Sequence, residues 1–282
     1  MNGSAPWDRG SDAGRRLDGR VAIVTGGGSA GDLMGIGGAI AILFAAQGAK
    51  VGIVDISSER AQHTRGRVDE IGGESAVAVG DVTDVDDNAR CVEEVVDRFG
   101  RLDIVVNSAA VTRGSGSPVD VDLKEWEDAI ALNLTAIVLT GRHTIPHLCA
   151  AGGGSVVNIS SIAATHGMGS GAYAASKAAM IGLTRDWAYA HGREGIRVNC
   201  LVVGHVFTPM GNQGGDDTRE RRRLAGLLGT EGTAWDVAWP AVFLASEEAR
   251  WITGVAIPVD AGTTATAPLG IQLLNERPSP GD

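Results

Sequence analysis

Past Arg20 the chain alternates between short apolar runs and longer stretches in which apolar residues return every three or four positions. The runs VAIVT (21–25), KVGIVD (50–55), SAVAVG (75–80), LDIVVN (102–107), SVVNIS (155–160), RVNCLV (197–202) and VAIPVD (255–260) predict strands. They are β-branched and almost unbroken in hydrophobicity, as suits parallel strands covered on both faces. Helical periods lie between them, at 36–47, 58–71, 86–99, 122–150 in one or two pieces, 172–191 and 234–246. Strand–helix alternation of this kind predicts a single doubly wound α/β domain. No internal repeat or linker divides it. A flexible leader, 1–17, precedes it and a loosely held tail, 263–282, which ends in ERPSPGD, follows it.

One stretch, TGGGSAGDLMGIGGA at 25–39, holds seven glycines and two competing spacings. Read literally, Gly26, Gly28 and Gly31 fit G-x-G-x-x-G. The helical stripe Ile36, Ala39, Ile40, Leu43, Phe44 decides otherwise, because it starts the helix near Gly35. A start at Asp32 would bury three glycines in the first turns, at roughly 1 kcal/mol each. The working set is therefore Gly26 for the turn out of the strand, Gly35 for backbone approach to a phosphate and Gly37 for close helix–strand packing, with the helix N-terminus facing a pyrophosphate. The intervening AGDLM is expected to bulge outward. Asp32 would repel a phosphate, while Leu33 and Met34 are expected to cover a cofactor edge or a neighbouring loop. Asp55 ends the second strand, where a carboxylate can hydrogen-bond a ribose diol; the rival role, an N-cap, suits Ser57 or Ser58 better.

Composition narrows the classes. The 282 residues are 44% hydrophobic, enough for one large core, and the formal net charge of −10 disfavours nucleic acid and anionic membranes as partners. The basic run Arg219, Arg221, Arg222, Arg223 is read as a solvated face. Three scattered cysteines give neither a disulfide framework nor a zinc spacing. His143 and His147 share a helix face, but Pro146 intervenes and no third ligand is evident, so no metal is expected. No apolar run is long enough to span a membrane, and the N-terminus has no apolar core of a secretory signal. A soluble cytoplasmic protein is expected.

Candidate chemistry comes later in the chain. Tyr173 and Lys177, in YAASK, fall at i and i+4 on one helix face. An ammonium beside a phenol favours phenolate, so the pair can act as an acid/base near neutrality. NISS (158–161) ends a strand in two serines, where α/β sheets bind ligands. Asn133 is an amide amid apolar helix, hence a core hydrogen-bonding device or part of a site.

Together these pieces resemble the short-chain dehydrogenase/reductase family from about residue 18 to 262. The glycine loop matches its T-G-x-x-x-G-x-G signature with about five residues inserted. GDV (80–82), NSAA (107–110), RVN (197–199), VGHVFT (203–208) and ITGVAIPVDAG (252–262) match in order and spacing. The resemblance implies a Rossmann fold of about seven parallel strands and an NAD-dependent oxidoreductase acting on a secondary alcohol or ketone. Tyr173 would be the acid/base, taking the hydroxyl proton as hydride leaves for the nicotinamide. Lys177 would lower its pKa and hold the nicotinamide ribose, a serine would polarise the substrate carbonyl, and Asn133 would hold a water in a proton relay. Gly26, Gly35, Ile36 and Gly37 would cradle the cofactor. Asp81 and Val82 would contact adenine, with Asn107 and Ala109 beside the cofactor and Val206 and Thr208 at its carboxamide end. Motif makes the serine Ser161 and spacing makes it Ser160; strand alternation allows only one, and Ser161 is preferred. Residues 209–232 would form a lid, and His205 would either line the substrate pocket or pack. A homotetramer is implied. The alternatives are a non-catalytic NAD-binding regulator and an epimerase or dehydratase on the related fold.

Overall fold

The computed structural model describes residues 15–211 and 215–276. Seven parallel strands form one sheet in the order β3-β2-β1-β4-β5-β6-β9. They are β1 (Val21–Thr25), β2 (Lys50–Asp55), β3 (Glu74–Val79), β4 (Ile104–Asn107), β5 (Gly154–Ser161), β6 (Ile196–Val203) and β9 (Ala256–Val259). A second, two-stranded pairing joins β7 (Val206–Phe207) to β8 (Gly232–Thr233). The order reverses between β1, paired with β2 through Ala22 and Val51, and β4, paired with β1 through Ile23 and Val105. A crevice opens at the carboxyl ends of the strands at such a switch point.

Every residue of β1 is buried, and alternation sends its side chains to two different cores. Ala22 and Val24 pack beneath α1 (Ile36–Ala46), α2 (Ser58–Glu70) and α8 (Ala234–Ala245). Val21 and Ile23 pack beneath α3 (Val85–Phe99) and α5 (Ala136–Ala150). A third cluster sets Met180 of α6 (Gly171–His191) against Cys200 and Val202 of β6. Burying a side chain such as Phe44 is worth about 1.5–3 kcal/mol, which explains why the apolar runs, rather than local propensity, set the architecture.

The helical stretch predicted over 122–150 is one continuous run with a change of pitch inside it. α4 (Leu123–Ile130) leads into a π-helical turn, Ala131–Thr135, and then α5. The expected leader, 1–17, overlaps the packed domain at its last residue. Leu17 is 1% exposed and its N–H bonds the Gln47 carbonyl at 2.9 Å, so the packed domain already includes it; residues 1–14 lie outside the described residues. At the other end the tail contains a helix that periodicity did not signal, α9 (Pro268–Asn275), with no buried residue. Within the expected lid, α7 (Gly215–Leu224) and β8 are formed, and residues 212–214 lie outside the described residues.

Candidate active site

The glycine loop is built around two close approaches. Gly26 has a positive φ of 63°, and a Cβ there would lie 2.7 Å from the Ala109 Cα. A Cβ on Gly37 would come within 2.1 Å of the Gly26 carbonyl oxygen. Both positions therefore accept no side chain. Gly31, the third glycine of the literal reading, sits exposed with nothing near it, at the tip of the inserted bulge. Ala30 and Asp32 are exposed beside it, and Asp32 does not line the cleft. Met34 does not cover a ligand edge. It is 6% exposed and belongs to the core under α1, with its sulfur against Gly38. Apolar area decides this: a thioether gains more in a core gap than over an open cleft. The insertion is thus pinned at its base by Met34 and by a Gly35 N–H bond to the Ser29 hydroxyl oxygen (3.0 Å).

The start of α1 differs from the other helix starts nearby. Ser57, Asp84 and Asp122 cap α2, α3 and α4 with side-chain oxygens. α1 has no side-chain cap and no acidic residue in its first turn, so its end N–H groups face the cleft as free donors. With the glycine cradle this fits an anionic group such as the pyrophosphate of a dinucleotide.

Asp55 lies at one end of the same cleft, 6% exposed, but its carboxylate is already engaged. One oxygen accepts from the Gly28 N–H (3.0 Å); the other accepts from the Ser57 N–H (2.9 Å) and from Arg60 Nη2 (2.7 Å) and Nε (3.2 Å). Gly28, left out of the working set, earns its place here, since a Cβ on it would lie 2.7 Å from the Asp55 carboxylate. Asp81 and Val82 line the same end, with Asp81 Oδ1 held by the Thr83 hydroxyl and N–H.

At the centre, the structure separates the two serines. Ser160 also borders the cleft, but it is 2% exposed and its hydroxyl is committed to the Lys177 carbonyl oxygen at 2.8 Å. Ser161 lines the cleft beside Tyr173, its hydroxyl oxygen accepting from the Ala163 N–H at 3.2 Å. Burial pushes the Tyr173 phenol above its ordinary pKa, and Ser161 opposes that rise. Lys177 is buried, donates to the Ile159 carbonyl oxygen at 2.8 Å and lies 5.6 Å from the centre of the Tyr173 ring. Burial lowers its pKa to about 8. The ammonium is therefore beside the ring, not bonded to the phenol oxygen.

Two amides expected at the site stand behind it. Asn133, on the π-helical turn, is fully buried; it accepts from the Val111 N–H (2.8 Å) and donates to the Val111 carbonyl (2.9 Å) and the Ser176 hydroxyl (3.2 Å). It locks the loop after β4 to the turn before Lys177 and does not line the cleft. Asn107 donates to Asn158 Oδ1 at 2.8 Å, and its own Oδ1 is buried with no partner among the described residues. The remaining expected positions, Gly35, Ile36, Ala109, Val206 and Thr208, line the cleft, as does His205.

The cleft encloses about 950 Å³, running from Asp55 past Tyr173 to Met210 and Arg222 on the far side. Met168, Met210, Arg113 and Arg222 were not singled out as site residues by sequence, because nothing local ties them to the motifs. Among the described residues no group of His, Cys, Asp or Glu is arranged to hold a metal ion, and no helix is long and apolar enough to cross a membrane.

A family model described as enoyl-(acyl carrier protein) reductase matches residues 30–264. The chain is similar to (+)-borneol dehydrogenase 2 of Salvia officinalis, 40% identical over 269 residues that cover 89% of this chain and 91% of that protein. It is also similar to a 3-oxoacyl-(acyl-carrier-protein) reductase of Thermotoga maritima, 36% identical over 248 residues, covering 88% and 98%. The solved structure of a 7α-hydroxysteroid dehydrogenase, complexed with NADH and 7-oxo glycochenodeoxycholic acid, matches with a TM-score of 0.82 and 31% identity over 88% of this chain and 95% of that one.

Proposed function

The chain belongs to the short-chain dehydrogenase/reductase family, whose members bind nicotinamide cofactors, and from that premise we propose that it interconverts a secondary alcohol and its ketone with NAD(H). The observation that carries this reading is the convergence of Ser161, Tyr173 and Lys177 on one cleft whose other end is a side-chain-free glycine cradle. When bound, NAD supplies the acceptor for the hydride removed from the carbinol carbon, and NADH supplies it in reverse.

Tyr173 is the acid/base. Its raised pKa suits donation of a proton to a ketone oxygen; accepting one from an alcohol requires the nearby Lys177 charge to offset the cost of phenolate. Ser161 donates to the substrate oxygen and holds it against the phenol. Ser160 fixes the backbone that carries Lys177. Asn133 is a positioning residue through Val111 and Ser176 in place of a substrate contact. Gly26, Gly28, Gly35, Ile36 and Gly37 form the phosphate cradle, and Asp81, Val82, Ala109, Val206 and Thr208 form the walls along the cofactor. A purely regulatory NAD-binding protein would have no use for a buried lysine beside a half-buried phenol in the cleft.

NAD is preferred over NADP because the added phosphate would meet Asp55. Two unit charges about 4 Å apart repel by roughly 4 kcal/mol at an effective dielectric near 20. Arg60, already on that carboxylate, offsets part of this and leaves a preference on the order of tenfold. The protein acts in the cytoplasm as a homotetramer: Tyr189 and Trp251 are 89% and 95% exposed, large apolar surfaces that a partner copy would cover. The test is turnover of a panel of secondary alcohols and ketones with each cofactor, followed by NAD(P)H absorbance, with light scattering for assembly. Absence of turnover across the panel would remove the reading; equal use of NADP would remove the role of Asp55.

A further inference from the structure

The far side of the cleft carries two guanidiniums that form no ion pair among the described residues. Arg222 projects from α7, half-buried, with its guanidinium over Gly211, where a Cβ would lie 3.5 Å from Nη1. Its neighbours are spent. Arg219 binds Glu231 with two bonds of 2.5 Å and stacks on the Phe207 ring at 3.9 Å. Arg223 binds Glu220 at 2.6 and 2.7 Å and the Gly229 carbonyl. Arg222 makes no ion pair among the described residues, although it lines the cleft.

No surrounding carboxylate pairs with it among the described residues. Glu231 is held by Arg219, and Asp260 accepts from Gly262 and Thr264. Asp128, also on the cleft wall, is paired with Lys124. A second guanidinium, Arg113 on the loop after β4, lines the same cleft and likewise has no ion pair among the described residues. His205 lies near Arg222, and burial together with that positive charge lowers its pKa, so it adds a neutral donor or acceptor. All this occurs in a chain of net charge −10. A half-buried guanidinium loses hydration, and its planar fork is matched by a carboxylate. The same cleft also offers apolar surface, from Leu132, Met168 and Met210, beside the polar Ser115, Asp128 and Ser170.

We propose that the cleft selects a secondary alcohol or ketone with an apolar body ending in a carboxylate, with Arg222 as the specificity-determining residue that receives the carboxylate and Arg113 as its auxiliary. This rests on the alcohol/ketone oxidoreductase reading above and names its substrate class. A guanidinium would also suit a cofactor phosphate, and the experiment separates the two anions.

The full chain is assayed with NAD on secondary hydroxy acids of increasing length, each against its own methyl ester, which keeps the shape and removes the charge. Wild type, Arg222→Met and Arg113→Met are compared, with folding checked by thermal melts and NADH affinity measured by fluorescence. Wild type should favour at least one acid over its ester in kcat/KM by about tenfold or more. Arg222→Met should cut that ratio by about tenfold or more, Arg113→Met by less, with NADH affinity moving under about twofold. Arg113 stands on a different element and decides the question if Arg222→Met misfolds. Esters turned over as well as every acid, or a ratio indifferent to the arginines, would overturn the proposal. Loss of NADH affinity matching the loss of acid turnover would assign Arg222 to a cofactor phosphate instead. If wild type turned over no alcohol or ketone at all, the oxidoreductase reading would fall first. Calorimetry of acids against esters on the NADH complex would still judge the charge selectivity, and no tighter binding of the acids would overturn it.

Discussion

The two ends of the cleft are made differently. At the Asp55 end the side-chain polar groups are satisfied by the protein, Asp55 by Gly28, Ser57 and Arg60, and Ser29 by Gly35, and what is left for a ligand is backbone, the N–H groups that open α1 among glycines where a Cβ would collide. At the Arg222 end two guanidiniums face the opening unpaired among the described residues, and Met168 and Met210 are about half exposed. A group that is to bind one invariant ligand can be prebuilt, with its reorganisation cost met during folding. A surface that chooses among substrates keeps its charges uncommitted, so the chemistry of the ligand is written in what the protein leaves unsatisfied.

The sharpest test lies where the two ends meet. Tyr173→Phe removes only the hydroxyl; kcat should fall by about a thousandfold while NADH affinity stays within about twofold. Stopped-flow turnover and fluorescence titration check both. If cofactor affinity fell equally, the two ends would be one coupled unit and the comparison would break.

Next is the Lys177 ammonium. Its pKa drops from 10.5 to about 8, so the folded protein binds fewer protons than the unfolded chain between those values, and stability contributed by this residue rises with pH there. Below about pH 8 the buried charge is a standing cost, relieved as the pH climbs. Relative to Lys177→Met, wild type should gain about 2–3 kcal/mol between pH 7 and pH 10, read from urea unfolding at each pH. A gap independent of pH would mean that the ammonium is hydrated.

A smaller effect sharpens the Asp55 end. Arg60→Met leaves the Asp55 charge uncompensated, so the preference for NAD over NADP should deepen about tenfold, about 1.4 kcal/mol. Ratios of kcat/KM for the two cofactors measure it; a weakened preference would show Arg60 repelling NADP by other means. The smallest lies at the other end. Ala261 is the one non-glycine residue with positive φ among the described residues, 53°, and it packs against Gly226 beside the α7 region. Ala261→Gly should stabilise the fold by about 0.5–1 kcal/mol in thermal melts, without moving cofactor affinity.

Much of this was legible in the residues. The apolar runs located β1 and β2 to the residue, because a strand buried on both faces tolerates no polar interruption. Helical periodicity also chose Gly35 over Gly31, since a register error would have placed glycines inside the first turns. Leu17 packs one residue before the expected domain start and α9 forms within the expected tail, because a single buried leucine, or a short helix with no buried face, leaves no period to read. Among the expected site residues, Gly26, Gly35, Ile36, Gly37, Ser161, Tyr173 and Lys177 line one cleft, whereas Asn133, expected to hold a relay water, and Asn107, expected beside the cofactor, do not line it.

The sequence by itself determined the alternation of elements, the glycine cradle and the helical pairing of Tyr173 with Lys177, because each depends on spacing within one element or one turn. Only the tertiary structure decided which serine stands by the phenol, that Met34 belongs to the core, that Arg60 occupies Asp55 and that Arg222 pairs with no carboxylate among the described residues. Each of these depends on which distant groups compete for the same hydrogen bonds, charges and apolar area, and that competition is settled only when the elements pack.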